Sequence, residues 1–257
     1  MNIYEHLYKK IESANVDLWP WEHLHIEELI PNDLYVNLRE FLIGNEEQDK
    51  FRESSKFRHD KMLFSLSRDM RIDNPYVMEY IDMLFLNEDI IKMLVSKFNT
   101  EHSYIPDMER HNPNISRSLT ERNTNREIVD MYSEYDVLKQ GFDHPIHQDV
   151  PPKFISLVHY FAEDGDDETL GTRLYPGWKV FNKPIHDDSH SKDVSLYYEK
   201  TIPYLPNSSL IFSPSDQMGH LTNHHFQHLS EKTEFRRAIH SFYLLETSAW
   251  APTGLAY

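Results

Sequence analysis

Two residues that can bind a metal, His147 and Asp149, stand two positions apart in the segment His147-Gln148-Asp149. In an extended strand, residues two positions apart share a face and lie about 6–7 Å apart along the strand. An imidazole and a carboxylate placed in this way can reach one metal ion while the far side of the ion stays open. One further histidine from a distant part of the chain would complete the two-histidine, one-carboxylate triad that suits non-haem Fe(II) and leaves positions for O2 and a substrate.

The tripeptide alone is a weak signal, because the chain has 16 histidines and contains a second example, His186-Asp187-Asp188. The surroundings distinguish the two. The first lies directly before the turn Val150-Pro151-Pro152 and a run of strand-forming residues at 154–161, which places it at the rim of a predicted sheet. The second lies in a polar segment without such a run, which favours a solvated loop.

A third ligand must come from later in the chain, where four histidines lie close together: His220, His224, His225 and His228. They stand between two predicted strands, so any of them could end near the edge of a sheet. The residues by themselves do not choose among these four histidines.

The last predicted strand opens with two arginines, Arg236 and Arg237, which the alternation of a strand places on opposite faces. An arginine at the start of a half-buried strand is costly unless an anion pairs with it. A carboxylate is the natural partner, because it accepts two parallel hydrogen bonds from a guanidinium. The alternative is that both arginines are exposed and only offset the acidic charge of the protein.

The composition excludes several functions. The net charge of −16 argues against nucleic acid and against an anionic membrane surface as partners. The absence of cysteine excludes disulfides, thiolate metal sites and a cysteine nucleophile. No apolar run approaches the roughly 18 residues of a membrane span, and the N-terminus lacks the apolar centre of a signal peptide. We therefore expect a cytoplasmic protein that binds neither nucleic acid nor a membrane.

Hydrophobic periodicity predicts helices first and strands afterwards. One helix follows the turn Pro31-Asn32-Asp33 and ends near Gly44, and a broken helical stripe runs from Asn74-Pro75 to about Phe98. Short runs rich in strand-forming residues follow at 128–138, 154–161, 171–176, 208–213 and 236–245. Short strands without long helices between them favour a β-sandwich or barrel over a parallel βαβ fold.

We therefore predict an α+β, mainly β chain that forms a single domain over residues 1–257. Within it, residues 1–125 would be mostly helical support and residues 126–247 the β core. The polar segments 106–126 and 162–200 are predicted loops and candidates for lids over a site.

Four segments in order, HPIHQDVPPKFISLVHYF, GTRLYP, NSSLIFSPSDQMGH and FRRAIHSFYL, resemble the Fe(II)- and 2-oxoglutarate-dependent oxygenases. The prolyl-hydroxylase-like and phytanoyl-hydroxylase-like branch is the most similar. The opening segment PWEHLHIEELIPNDLYVNLREFL also looks like the start of many of these proteins, so the resemblance covers about residues 19–245. It implies a double-stranded β-helix, a distorted, cupin-like jelly roll with flanking N-terminal helices.

The resemblance also implies roles for individual residues. His147 and Asp149 match the iron ligands. Arg236 matches the residue that holds the far carboxylate of 2-oxoglutarate, with Arg237 as the alternative. No residue beyond the metal centre is assigned a catalytic role.

The distal iron ligand stays open between two histidines. The family's usual spacing after the preceding strand favours His220. His224 is the alternative, because the residues that follow it fit the family pattern better and because it lies closer to Arg236 in the chain.

The implied reaction is hydroxylation of a C–H bond, with 2-oxoglutarate and O2 converted to succinate and CO2 and with ascorbate as a supporting reductant. The substrate is open: a peptidyl side chain, an amino acid or a small metabolite. Two other classes remain. One is a cupin-like metalloenzyme or metal-binding protein that does not use 2-oxoglutarate. The other is a non-catalytic jelly-roll binding module.

Overall fold

A computed structural model of the chain describes residues 2–46, 52–53, 61–65, 74–85, 87–98, 129–149, 153–175, 200–213 and 223–245. The helices in these ranges are α1 (Ile3–Ser13), α2 (Asn32–Gly44), α3 (Pro75–Phe85), α4 (Glu88–Phe98) and a short 3-10 helix (Glu168–Leu170). The strands are β1 (His23–Glu27), β2 (Arg52–Glu53), β3 (Lys61–Ser65), β4 (Val129–Lys139), β5 (Asp143–Gln148), β6 (Lys153–Tyr160), β7 (Thr172–Tyr175), β8 (Lys200–Ile202), β9 (Ser208–Phe212), β10 (Asn223–Gln227) and β11 (Phe235–Leu245).

The strands form two sheets. The large sheet has seven strands in the order β1-β9-β6-β11-β4-β3-β2, and the small sheet has four in the order β5-β10-β7-β8. Every described pairing of these strands is antiparallel. The prediction of a sheet fold with supporting helices, instead of a parallel βαβ fold, is therefore confirmed in these ranges. Strands β1 and β3 pair with β9 and β4, so the large sheet draws on both halves of the chain.

The two faces of the large sheet have different neighbours. On β6 and β11, Leu157 and Ile239 belong to the core that the sheet shares with the helices. The alternating residues Val158 and Ala238 belong to a second core, which also contains Leu174 of the small sheet. We call these two sides of the large sheet the helical side and the inter-sheet side.

The helices cover the helical side through regularly spaced apolar residues. In α2, Leu34, Leu38 and Leu42 are buried on one face, as the sequence predicts. The predicted stripe over 75–98 is two helices, because Asn87 interrupts it. The Asn87 side chain accepts hydrogen bonds from the backbone N–H groups of Asp89 and Ile90 and so begins α4.

Several elements were not predicted from the sequence. Helix α1 buries only Leu7 and Ile11 among charged residues, and the strands β2, β3, β8 and β10 are short or polar. The segment 106–126 and the second tripeptide, His186-Asp187-Asp188, lie outside the described residues, as does most of 162–200. In the part of the chain that the structure describes, no helix is long and apolar enough to cross a membrane.

Candidate functional site

The segment that carries the predicted metal ligands forms one edge of the small sheet. Strand β5 pairs with β10, and His147 and His224 stand directly opposite each other as Cα partners. The pairing is irregular just beyond, where the register shifts between His224 and Phe226. The two sheet strands thus bring the predicted first ligand beside one of the two candidates for the distal ligand.

Asp149 follows β5 and reaches toward the large sheet. Its side chain is buried, and the hydroxyl of Ser156 on β6 donates a hydrogen bond to Asp149 Oδ2. Ser156 is the Cα partner of Phe212 on β9. The ring of Phe212 packs edge-on against the ring of His224, with centroids 4.9 Å apart. Asp149 and His224 therefore contact adjacent residues of the same cross-strand row.

The structure does not test the complete triad. His220 lies outside the described residues, and so does the side chain of His147. Among the side chains that the structure describes, no three histidines or carboxylates form a group that could hold a metal ion. The assignment of His147, Asp149 and His220 or His224 as ligands stays a prediction.

The other two histidines of this segment have partners within the protein. The His225 ring bonds Asp143 Oδ1 at 2.7 Å, and burial lowers the His225 pKa while Asp143 raises it. The His228 ring bonds the backbone oxygen of Glu234 at 3.2 Å. Burial lowers the pKa of His228 as well. These contacts stabilise the loop and strand around β10 and favour structural roles for both rings.

Arg236, the second residue of β11, is fully buried on the inter-sheet side. Its Nε donates to the backbone oxygen of Leu170 at 2.6 Å. Its guanidinium carbon lies 5.4 Å from the ring centroid of Tyr160, 5.9 Å from that of Tyr204 and 5.0 Å from that of Phe226. Among the described residues, neither terminal nitrogen, Nη1 or Nη2, has a hydrogen-bond partner.

A buried guanidinium whose two terminal nitrogens find no partner in the described ranges is energetically costly unless an anion binds it. The two nitrogens present a fork that matches a carboxylate. The aromatic rings around the fork provide a water-poor environment and favourable cation–π contacts. The residues present therefore fit one carboxylate of a small diacid such as 2-oxoglutarate.

The backbone oxygen that binds Arg236 is held in place by tight packing. Leu170 is followed by Gly171, which lies against β8. A Cβ built on Gly171 would stand 1.6 Å from the backbone oxygen of Ile202. Only glycine therefore fits between Leu170 and β7 in this arrangement.

Arg237 lies on the helical side and is paired with carboxylates. It donates to both carboxylate oxygens of Glu46, from Nε at 2.7 Å and from Nη2 at 3.1 Å. The Tyr135 hydroxyl donates to the same Glu46 carboxylate, and Glu163 lies 3.7 Å from Nη1. Burial alone lowers the pKa of Arg237, but the ion pair with Glu46 more than offsets it and raises the pKa.

Sequence reasoning did not single out several polar residues on the inter-sheet side. Ser156 shares a face with Tyr160 in the run 154–161, and its polarity within that run was the available signal. The Tyr160 hydroxyl donates to Thr172 Oγ1 at 2.6 Å. Burial raises the pKa of Tyr160, and the nearby Arg236 partly counteracts this effect.

One further buried pair of ionisable groups lies on the inter-sheet side, between Asp136 and His240. The His240 Nε2 atom is 3.7 Å from Asp136 Oδ2. The ring of Phe226 packs against His240, with centroids 5.1 Å apart, and also lies next to Arg236. Charged and titratable groups therefore extend along β11 from Arg236 toward the row of Ser156.

No protein-family model and no curated protein sequence matches the chain. Solved structures do. A prolyl-4-hydroxylase from Pseudomonas putida is 9% identical, with a TM-score of 0.50 over 93% of this chain and 98% of that chain. The chain resembles 2-oxoglutarate-dependent oxygenases in fold. Two further enzymes described as non-haem and α-ketoglutarate-dependent, both from nogalamycin biosynthesis, have a similar fold.

The first of these two, the carbocyclase SnoK, is 9% identical with a TM-score of 0.53, over 95% of this chain and 86% of that chain. The second, the epimerase SnoN, is 10% identical with a TM-score of 0.52, over 98% of this chain and 91% of that chain. At these identities the likeness concerns the fold. The resemblance seen in the sequence segments is thus confirmed at the level of the fold.

Proposed function

We propose that the chain is an Fe(II)- and 2-oxoglutarate-dependent dioxygenase that hydroxylates a C–H bond of a peptidyl side chain, an amino acid or a small metabolite. Its core would be a double-stranded β-helix. The support for this core is the path of the chain, which from β4 onward alternates between the two sheets except at β7 and β8. Consecutive strands that cross from one facing sheet to the other are the signature of a jelly roll.

Arg236 is the observation that carries the proposal. It is fully buried between the sheets, and two of its nitrogens lack hydrogen-bond partners among the described residues. A guanidinium in this setting is suited to hold the far carboxylate of 2-oxoglutarate. The neighbouring rings of Tyr160, Tyr204 and Phe226 would exclude water from that end of the pocket.

For the metal we propose His147, Asp149 and His224 as ligands. His224 is preferred to His220 because it is the Cα partner of His147, and its ring contacts the row that also binds Asp149. Residues directly opposite in antiparallel strands carry their Cβ atoms about 4.5–5.5 Å apart on one face, which suits two ligands of one ion. When bound, Fe(II) and 2-oxoglutarate supply the oxidising chemistry that activates O2 and yields succinate and CO2.

The protein side chains would then position the metal and the cosubstrate. His147, Asp149 and His224 would hold the metal, and Arg236 would hold the far carboxylate of the cosubstrate. Three protein ligands of this kind would leave positions on the metal for O2 and a substrate.

The test is succinate formation from 2-oxoglutarate by the purified protein with Fe(II), ascorbate and O2, in the absence of the unknown substrate. We expect a slow uncoupled turnover that Asp149→Ala abolishes. Asp143→Ala is the matched control, because Asp143 lies on the same strand but bonds His225, and it should retain turnover.

Two results would overturn the proposal. Wild-type protein that binds Fe(II) but produces no succinate indicates a metal protein without 2-oxoglutarate chemistry. Wild-type protein that binds no Fe(II) indicates a binding module. His220→Ala and His224→Ala, compared in the same assay, identify the distal ligand.

A further inference from the structure

We propose that Ser156 is a positioning residue that holds Asp149 in a one-oxygen mode of metal binding. This inference rests on the proposed function, because it concerns the same metal site. Ser156 lies on the large sheet, whereas His147 and His224 belong to the small sheet. Residues of both sheets would therefore contribute to one metal centre.

Among the described residues, the backbone pairing of β5 does not extend to Asp149. The β5–β10 register ends with the pair Gln148 and Asn223, one residue before Asp149. One contact that holds the carboxylate is the hydrogen bond from the Ser156 hydroxyl to Oδ2. Both side chains are almost fully buried, with 1% of Ser156 and 3% of Asp149 exposed, so water competes little for this bond.

The chemistry of the hydrogen bond determines which oxygen is available to a metal. A hydroxyl that donates to Oδ2 withdraws charge from that oxygen and fixes the plane of the carboxylate. Oδ1 is then the better ligand, and two-oxygen chelation is disfavoured. This matters because a chelating carboxylate would take up one of the positions that the cosubstrate and O2 need.

The neighbour of Ser156 in the large sheet extends the same effect to the second proposed ligand. Phe212 is the Cα partner of Ser156, and its ring packs against the ring of His224. The ring contact restricts rotation of the imidazole. One cross-strand row of the large sheet, Ser156 and Phe212, thus orients both Asp149 and His224.

The experiment measures metal binding, not turnover. Apo-protein is titrated with Mn(II) and followed by electron paramagnetic resonance, and the Co(II) form is examined by its visible absorption, which reports coordination number. Ser156→Ala should weaken Mn(II) binding by about 10–100-fold, the usual effect of removing a hydrogen-bond partner of a metal ligand. It should also shift the Co(II) spectrum toward higher coordination.

Three companion variants separate positioning from packing. Ser156→Thr keeps the hydroxyl and should restore wild-type binding. Ser156→Cys is nearly isosteric with a weak donor, so it should weaken binding even if the alanine variant folds poorly. Ser209→Ala removes an equally buried serine of the adjacent strand, one that bonds His159 on the helical side, and should leave Mn(II) binding unchanged.

The outcomes distinguish this inference from the proposed function. Wild-type protein that fails to bind Mn(II) overturns both. Wild-type protein that binds Mn(II), with folded Ser156→Ala and Ser156→Cys variants of equal affinity and an unchanged Co(II) spectrum, overturns only the role of Ser156.

Discussion

Two adjacent residues of β11, Arg236 and Arg237, have side chains with very different partners. Both are buried, with exposed fractions of 0% and 8%. Arg237 meets the carboxylate of Glu46 with two hydrogen bonds, whereas Arg236 meets a backbone oxygen and three aromatic rings. On the helical side the ion pair is complete, whereas among the described residues the neighbouring charge on Arg236 has none. This difference favours a ligand-binding role for Arg236 over a purely structural one.

The contrast between the two arginines can be tested most directly at Arg237, which pairs with Glu46. Arg237→Met should lower the free energy of unfolding by about 3–5 kcal/mol, because the largely buried Glu46 carboxylate, 10% exposed, loses its ion-pair partner. Chemical denaturation measures this change. The affinity for 2-oxoglutarate should remain close to that of the wild type, because the variant residue lies on the far side of the sheet.

Glu163→Gln serves as the control for that measurement. The side chain of Glu163 is 48% exposed and pairs with Arg39 at 2.6 Å as well as with Arg237. Removing its charge should lower the free energy of unfolding by no more than about 1 kcal/mol, as for other solvent-exposed ion pairs. An Arg237→Met variant no less stable than Glu163→Gln would show that the Glu46 pair is not a structural anchor.

The same substitution one residue earlier should produce the reverse pattern. Arg236→Met should raise the KM for 2-oxoglutarate roughly 100-fold, because truncating one partner of a buried charge pair costs about 2–5 kcal/mol of binding. Stability should be unchanged or slightly higher, since no carboxylate in the described ranges pairs with Arg236. Steady-state succinate kinetics and thermal unfolding measure the two effects.

Arg236→Lys is the companion variant, because it keeps the charge but loses the two-nitrogen fork. It should fall between wild type and Arg236→Met in KM. If Arg236→Met instead leaves succinate kinetics untouched, a cupin-like metalloenzyme without a 2-oxoglutarate pocket becomes the better description.

A pH-dependent effect is expected from a histidine on the helical side. Burial lowers the pKa of His159 to about 3, so the folded protein keeps it neutral where the unfolded chain, with an ordinary pKa near 6.5, takes up a proton. Stability should therefore be complete above about pH 6.5 and decline as the pH falls toward 3. His159→Phe should reduce the slope of the free energy of unfolding against pH by about 1.4 kcal/mol per pH unit in this range.

Denaturation between pH 4 and 7 measures the slope for wild type and variant. His225→Phe is a suitable comparison, because Asp143 partly opposes the effect of burial on the His225 pKa. Identical slopes for wild type and His159→Phe would mean that the ring is protonated in the folded state, contrary to its burial.

Local patterns in the sequence predicted the elements that depend on local periodicity. The apolar spacing of α2 and the strand-forming runs of β6, β9 and β11 predicted their positions to within a few residues. The alternation of β11 predicted that Arg236 and Arg237 part to opposite faces, and they do.

Features that depend on contacts between distant segments could not be read in this way. Strand β10 is too short and polar to be recognised, so the pairing of His147 with His224 follows only from the sheet. The hydrogen bond from Ser156 to Asp149 crosses from one sheet to the other, and no spacing in the sequence encodes it. The partner of Arg237 lies at the end of a helix nearly two hundred positions earlier, in Glu46.

Gly171 connects the packing of the small sheet to the charge between the sheets. Its lack of a side chain lets the backbone of β8 come into direct contact, and the residue before it supplies the oxygen that binds Arg236. In a library of random variants, position 171 should therefore behave like an active-site position, although glycine has no group that could take part in a reaction. Loss of activity on substitution of Gly171 would then result from displacement of the Leu170 carbonyl that binds Arg236.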